Sequence, residues 1–150
     1  MTQLDERTGI EIINRDECLR LLREDEVGRL GVVHGRSPVI LPVNYTMDGD
    51  DVVFRTAPGT KLDAGPRSPA CFEIDSFDRV AKTGWSVMVA GRLEEIGVYD
   101  LDGRAQLDVH PWASGQRDHW MRLCPTRITG CSVGDHKTEE KEVRDANHQR

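Results

Sequence analysis

Pro38-Val-Ile-Leu-Pro-Val-Asn-Tyr-Thr-Met-Asp-Gly-Asp-Asp-Val-Val-Phe-Arg-Thr-Ala-Pro-Gly-Thr-Lys-Leu62 reads as a β-hairpin that runs into an anion-binding turn. Val39, Leu41, Val43 and Tyr45 fall on one face of a strand over Pro38 to Met47, the period of a half-buried strand. Asp48-Gly49-Asp50 is a tight turn, and Asp51 to Thr56 is the returning strand. Pro58-Gly59 then turns the chain, with Thr60 and Lys61 at the start of what reads as a short helix. Free amide donors at a helix start, a hydroxyl and an ammonium make a compact anion site, and a phosphate monoester fits it. No nucleotide-binding βαβ unit surrounds it. The reading is of a phosphate-carrying cofactor held on a strand-rich body. A strand followed by a turn and a surface Lys is the plainer alternative.

Upstream, Asn14-Arg-Asp-Glu17 is a capping-box pattern. It opens a helix over about residues 14 to 26, with Cys18, Leu19, Leu21, Leu22 and Val27 on the apolar face and Gly28 as its end. Leu30, Val32 and Val33 begin the first strand, and His34-Gly35-Arg36-Ser37 has turn composition. Together with the hairpin this makes an antiparallel meander. Downstream, residues 65–69 form a loop and Ala70 to Ile74 a strand. Asp75 to Thr83 is a polar excursion anchored by Phe77 and Val80, and Gly84 to Gly97 is the longest strand. Leu101 to His110 is a short helix broken by Pro111-Trp112, and Trp120 to Val133 is a last strand interrupted by Pro125. The fold class is mainly β, about six strands with few helices. A small closed barrel removes the edge strands, and an open sheet crossed by one helix is the alternative. One domain covers residues 1–134. Residues 1–13 supply a few apolar anchors, and the polar tail 135–150 is expected to be disordered.

The net charge of -6 and pI near 5.3 disfavour broad capture of nucleic acid or anionic lipid. No apolar run has the length of a membrane span. The N-terminus Met-Thr-Gln-Leu-Asp-Glu-Arg lacks the features of a signal peptide, so a cytoplasmic protein is expected. Cys18, Cys71, Cys124 and Cys131 have no zinc-ribbon spacing and read as reduced thiols, and no metal site is expected. Trp112, Trp120 and Met121 are large for the interior of so small a domain. A homodimer would cover them. Core packing explains them nearly as well.

Several blocks in order carry a family resemblance. They are Val27-Gly-Arg-Leu-Gly-Val-Val33, Leu41-Pro-Val-Asn-Tyr-Thr-Met-Asp-Gly49, Val53-Phe-Arg-Thr-Ala-Pro-Gly-Thr-Lys-Leu62, Ala70-Cys-Phe-Glu-Ile-Asp75, Gly84-Trp-Ser-Val-Met-Val-Ala-Gly-Arg-Leu93 and Arg127-Ile-Thr-Gly130. The chain resembles the pyridoxamine 5'-phosphate oxidase-like flavin-binding split barrels, closest to their small actinobacterial and nitroimidazole-reductase-like branch. The resemblance implies a six-stranded split barrel, paired as a homodimer with two cofactor sites at the interface. It implies FMN as cofactor, with the deazaflavin F420 or haem in some relatives. It places Lys61 and Thr60 on the phosphate. Phe54, Arg55 and Thr56 lie beside the ribityl and phosphate portion, and Pro42, Val43 and Asn44 lie along the ring, partly through backbone groups. Trp85 and Ser86 sit on the facing strand, and Trp112 and Trp120 approach from the second protomer.

Two departures matter. Arg55 stands where nitroimidazole-reductase relatives often carry His, and its fork still suits an anion. The Arg and His pair with which vitamin B6 oxidases grip the substrate phosphate has no counterpart after Cys131. Pyridoxamine phosphate is therefore not the expected substrate. Three functions fit: an FMN-dependent oxidoreductase acting with a small-molecule electron donor or acceptor, an F420-dependent reductase, and a non-enzymatic flavin or haem binder. A flavin carries its own electron chemistry, so the lack of a nucleophile triad is no obstacle. Asn44, Ser86 and Tyr45 are candidate donors to the ring edge, and Arg79 and Lys82 candidate contacts for an acidic substrate or a longer cofactor tail.

Overall fold

The computed structural model describes residues 3–5, 8–57, 68–97, 107–112, 114–115 and 119–134. Two short strands, β1 (Gln3–Asp5) and β2 (Ile10–Ile13), precede the helix α1 (Arg15–Glu24). Six longer strands follow: β3 (Val27–His34), β4 (Ser37–Asp48), β5 (Asp51–Thr56), β6 (Pro69–Asp78), β7 (Thr83–Ile96) and β8 (His119–Val133). In space they run β8-β5-β4-β3-β6-β7, and β7 pairs with β8 to close a six-stranded antiparallel ring. This is the expected split barrel. The strand count is nevertheless higher than six, because β2 adds to the second half of β8 (Ile10 opposite Val133, Ile13 opposite Gly130) and β1 adds to β2. Of the apolar anchors expected in residues 1–13, Ile13 packs on the core, whereas Ile10 (37%) and Ile12 (48%) are exposed on β2. The split lies along β4. It pairs with β5 only from Tyr45 to Asp48, so its earlier residues have β3 alone as a described neighbour. Pro38 and Pro42 stand on that stretch, where a missing N–H costs no ladder bond.

The helix begins as the capping box dictates, with Asn14 Oδ1 accepting the Glu17 N–H at 2.9 Å. It ends at Glu24, short of residue 26. The Asp25 carboxylate draws the Glu26 N–H (2.8 Å) and the Val27 N–H (3.4 Å) out of the helical pattern. Gly28 is not the helix stop; it lies inside β3, where any Cβ would overlap the buried Phe72 ring. Cys18, Leu19 and Leu22 bury one face of α1 on the barrel. There the Cys18 sulfur lies 2.6 Å from where a Cβ of Gly130 would stand.

Alternation fills the barrel. Leu30, Val32, Phe72, Ile74, Val87, Val89, Leu93 and Leu123 point inward and are buried. Tyr45 joins them, its ring edge-on to Phe72 with centroids 4.7 Å apart. Its hydroxyl donates to the Leu22 carbonyl at 2.6 Å and fastens the last turn of α1 to the barrel. Burial pushes the Tyr45 phenol well above its usual range, so it remains a neutral donor. Replacing Tyr45 by Phe leaves that carbonyl unpaired, and the expected loss is about 1–3 kcal/mol. Urea denaturation measures it; an unchanged midpoint would show that the bond contributes nothing.

Three expectations need correction. The polar excursion after Ile74 is mostly strand, since β6 continues to Asp78 and pairs with β7 as far as Thr83. Its supposed anchors are not buried: Phe77 is 57% and Val80 94% exposed. Asp78 Oδ1 closes the turn instead, accepting the Val80 and Ala81 N–H groups at 2.9 Å each. Pro125 does not interrupt β8. Ala90 faces Arg127 and Gly91 faces Pro125, so Thr126 is an extra residue in a bulge, where a Pro is tolerated. The helix expected at 101–110 falls largely outside the described residues, and residues 107–110 are irregular. The tail 135–150 also lies outside them.

Candidate functional site

The outer face of the barrel carries several of the expected site residues. On β5, Val52, Phe54 and Thr56 point inward, so Val53 and Arg55 point outward. The same alternation turns Pro42 and Asn44 of β4 outward, and Val43 and Tyr45 inward. Arg55 faces Trp120 in the β5–β8 ladder, and Trp120 faces Ile96 in the β7–β8 ladder. Arg55 and Trp120 are therefore paired on the outer face, and Asn44 points outward from the position just before the Tyr45–Phe54 pair that opens the β4–β5 ladder. The Arg55 guanidinium carbon lies 5.1 Å from the Trp120 ring centroid, a cation–π arrangement. Residues 107–112 lie against the same face. Val109 is buried, and the Trp112 N–H donates to Asn44 Oδ1 at 2.9 Å. Nearby, Glu95 Oε1 and His119 Nδ1 are 2.6 Å apart.

The expected site residues separate into four groups. Asn44, Arg55 and Trp120 point outward on this face of a single chain, Trp112 bonds Asn44 through its backbone N–H, and Pro42 lies two residues before Asn44 on β4. Phe54, Thr56 and Val43 point their side chains into the barrel: Phe54 and Thr56 are buried, Val43 packs on the core, and the Thr56 hydroxyl bonds the Ala57 carbonyl at 3.3 Å. Only their backbone can face a ligand on the outside. Tyr45 is not a donor to an external ring, since its hydroxyl is committed to Leu22. Trp85 and Ser86 stand at the opposite end of β7 from the partner of Trp120, facing Ser132 and Cys131. Trp85 packs on the core, and Ser86 Oγ is 3.5 Å from Cys131 Sγ. One chain does not bring them to Arg55. Thr60 and Lys61 lie outside the described residues, a few positions beyond the end of β5. Arg79 and Lys82 are exposed in the β6–β7 turn.

The sequence reading missed a charged trio on the outer face. Arg29 of β3 bonds Glu73 (2.9 Å) and Asp75 (3.1 Å) of β6. Burial, then the neighbouring Asp75, holds the Glu73 carboxyl above its usual range against the pull of Arg29. Glu73 lies on a legible strand, but Asp75 reads as loop, and nothing local says that β3 pairs with β6. All four cysteines are free: Cys18 is buried, Cys124 half-buried, and Cys71 and Cys131 exposed.

A closed six-stranded antiparallel ring is the architecture of a split barrel. The chain belongs to the pyridoxamine 5'-phosphate oxidase family, whose sequence model matches residues 14–132. An uncharacterised protein of Mycobacterium tuberculosis is 32% identical over 127 residues, covering 81% of this chain and 84% of that one. The FAD-binding protein from Mycobacterium smegmatis is 34% identical with a TM-score of 0.69, covering 82% of this chain and 99% of that chain. A conserved protein of unknown function from Corynebacterium diphtheriae is 27% identical with a TM-score of 0.72, covering 84% and 99%.

Proposed function

We propose that this protein is a flavin-dependent oxidoreductase of unassigned substrate, with FMN as cofactor. The observation that carries the reading is the Arg55–Trp120 pair, with Arg55 on the strand that leads into Pro58-Gly59-Thr60-Lys61. A cation over a flat aromatic face fits an anionic ligand with a planar ring system. Arg55 would hold the charged portion, Trp120 would lie along the apolar portion, and Thr60 and Lys61 would take the phosphate. A bound flavin supplies the electron chemistry, and the protein binds and orients it. The FAD-binding relative from Mycobacterium smegmatis supports a flavin and makes FAD the second ligand to test. The F420 reading asks for basic residues leading away from Arg55. Arg79 and Lys82 lie instead beside the start of β7, whereas Trp120 pairs with its end.

The protein acts as a homodimer in this reading. Val33 (53% exposed), Ile40 (72%) and Phe77 (57%) all lie on outer faces of β3, β4 and β6, and a second copy would cover them. Pairing of two chains would also bring Trp85 and Ser86 of one to the Arg55–Trp120 pair of the other. Sedimentation should give twice the 16.9 kDa chain mass, with or without residues 135–150. A monomer with cofactor bound rules out an interface site. Among the described residues no helix is long and apolar enough to cross a membrane. A cytoplasmic setting without nucleic-acid partners suits the acidic balance.

The decisive experiment is the absorption spectrum and mass of the copurifying small molecule, followed by turnover. Flavin absorbance, and reduction of a quinone or nitro compound with NADH or NADPH above the free-cofactor rate, support the reading. A deazaflavin spectrum would favour F420, and a Soret band haem. A tightly held flavin that no donor reduces faster than in free solution identifies a binding protein. Efficient oxidation of pyridoxamine phosphate would overturn the substrate argument.

A further inference from the structure

We propose that Asn44 is a positioning residue that acts through Trp112 and makes Trp112 a fixed platform for the planar ring of the bound ligand. The inference rests on the flavin reading and departs from the role that the resemblance implies, in which Asn44 itself lies along the ring. Pro111 has no N–H and a fixed φ, so Trp112 carries the first donor after it. That donor goes to Asn44 Oδ1 at 2.9 Å. Three residues earlier the buried Val109, 4% exposed, anchors the same segment by apolar contact. A segment without regular structure is thus pinned by one apolar and one polar contact, on either side of a rigid proline.

The Trp112 residue held in this way is 73% exposed. An indole left in water on a fixed backbone does nothing for the core. It is therefore available to a ligand. Its place is set by Asn44, which points outward from the position just before the Tyr45–Phe54 pair that opens the β4–β5 ladder. Arg55 points outward from the position just after Phe54 and faces Trp120 on β8, so the anchored segment and the cation–π pair border the same end of that ladder. Trp112 would therefore serve the site of its own chain, without a second protomer to deliver it.

Two substitutions separate this from direct ring contact. Asn44→Ala removes both the acceptor and the amide donors. Asn44→Asp keeps the acceptor and removes the donors. In the cofactor-free protein, hydrogen exchange of the Trp112 amide should accelerate about tenfold or more in Asn44→Ala, as expected for loss of a hydrogen bond. It should stay slow in Asn44→Asp. Titration with riboflavin, which carries no phosphate for an added carboxylate to repel, reads the ligand side. Asn44→Ala and Trp112→Ala should each weaken binding, and the double variant should be no weaker than Trp112→Ala alone. Asn44→Asp should bind nearly as the wild type. Unchanged Trp112 exchange in Asn44→Ala overturns the anchoring. Multiplied losses in the double variant, or a loss in Asn44→Asp equal to that in Asn44→Ala, assign Asn44 to the ring directly and overturn the proposal. If the wild type takes up no flavin, the flavin reading falls, and the exchange measurements still decide whether Asn44 holds Trp112.

Discussion

Lys61→Ala should lower FMN affinity roughly tenfold to a hundredfold and leave riboflavin affinity nearly unchanged. The proposed contact is a charge-assisted hydrogen bond to the phosphate, worth about 1.5–3 kcal/mol, and each 1.4 kcal/mol or so is a factor of ten in affinity. Riboflavin lacks the phosphate, so the ammonium has nothing to lose there. Lys61 stands five positions after Thr56, the last residue of β5, and β5 carries Arg55. Titrating both ligands against both proteins gives the answer. Equal losses for FMN and riboflavin would mean that Lys61 supports the fold and does not read the phosphate.

Gly91→Ala should be among the most damaging single changes to the fold. Gly91 is buried where the β7–β8 register shifts, and a Cβ there would overlap the carbonyl oxygen of Cys124 and approach Pro125 Cα to 3.1 Å. Both obstacles are main chain, so they can yield only by moving β8. Overpacking of this kind costs about 1–3 kcal/mol, occasionally more, and the upper part of that range is expected. Gly31→Ala is the comparison. Its Cβ would meet the Cys71 sulfur at 2.7 Å, but Cys71 is exposed and can rotate away. Chemical denaturation of the two variants should show the larger loss at Gly91. Equal losses would mean that the bulge moves as easily as an exposed thiol.

The elements legible in the sequence were those whose signals are local. The hairpin through Gly49 gave β5 its observed bounds because turn chemistry and alternation agree there. Asn14 and Glu17 announced α1 for the same reason. The extent of β6 was not legible. Asp75, Ser76 and Asp78 look like loop, yet they are held in strand by a neighbour, β7, that already pairs with the apolar half. Gly28 was misread because a glycine past a helix and a glycine under a phenyl ring look alike in one dimension. Within the site, alternation alone puts Asn44 and Arg55 on outward faces. The meeting of Arg55 with Trp120, and of Asn44 with Trp112, spans more than sixty residues of chain and carries no local mark.

Ring closure has a consequence for how the chain reaches this state. The last strand, β8, pairs along its length with β7, over its first part with β5 and over its second part with β2. Until it arrives, β5 and β7 each present an open edge, and the N-terminal strands have nowhere to dock. Contacts between the ends of a chain form slowly, because the intervening loop must be closed first. Synthesis on the ribosome therefore exposes an unfinished, adhesive sheet until almost the whole of the described chain has emerged. A chain truncated before His119 should accumulate as aggregate, while one ended after Gly134 should fold.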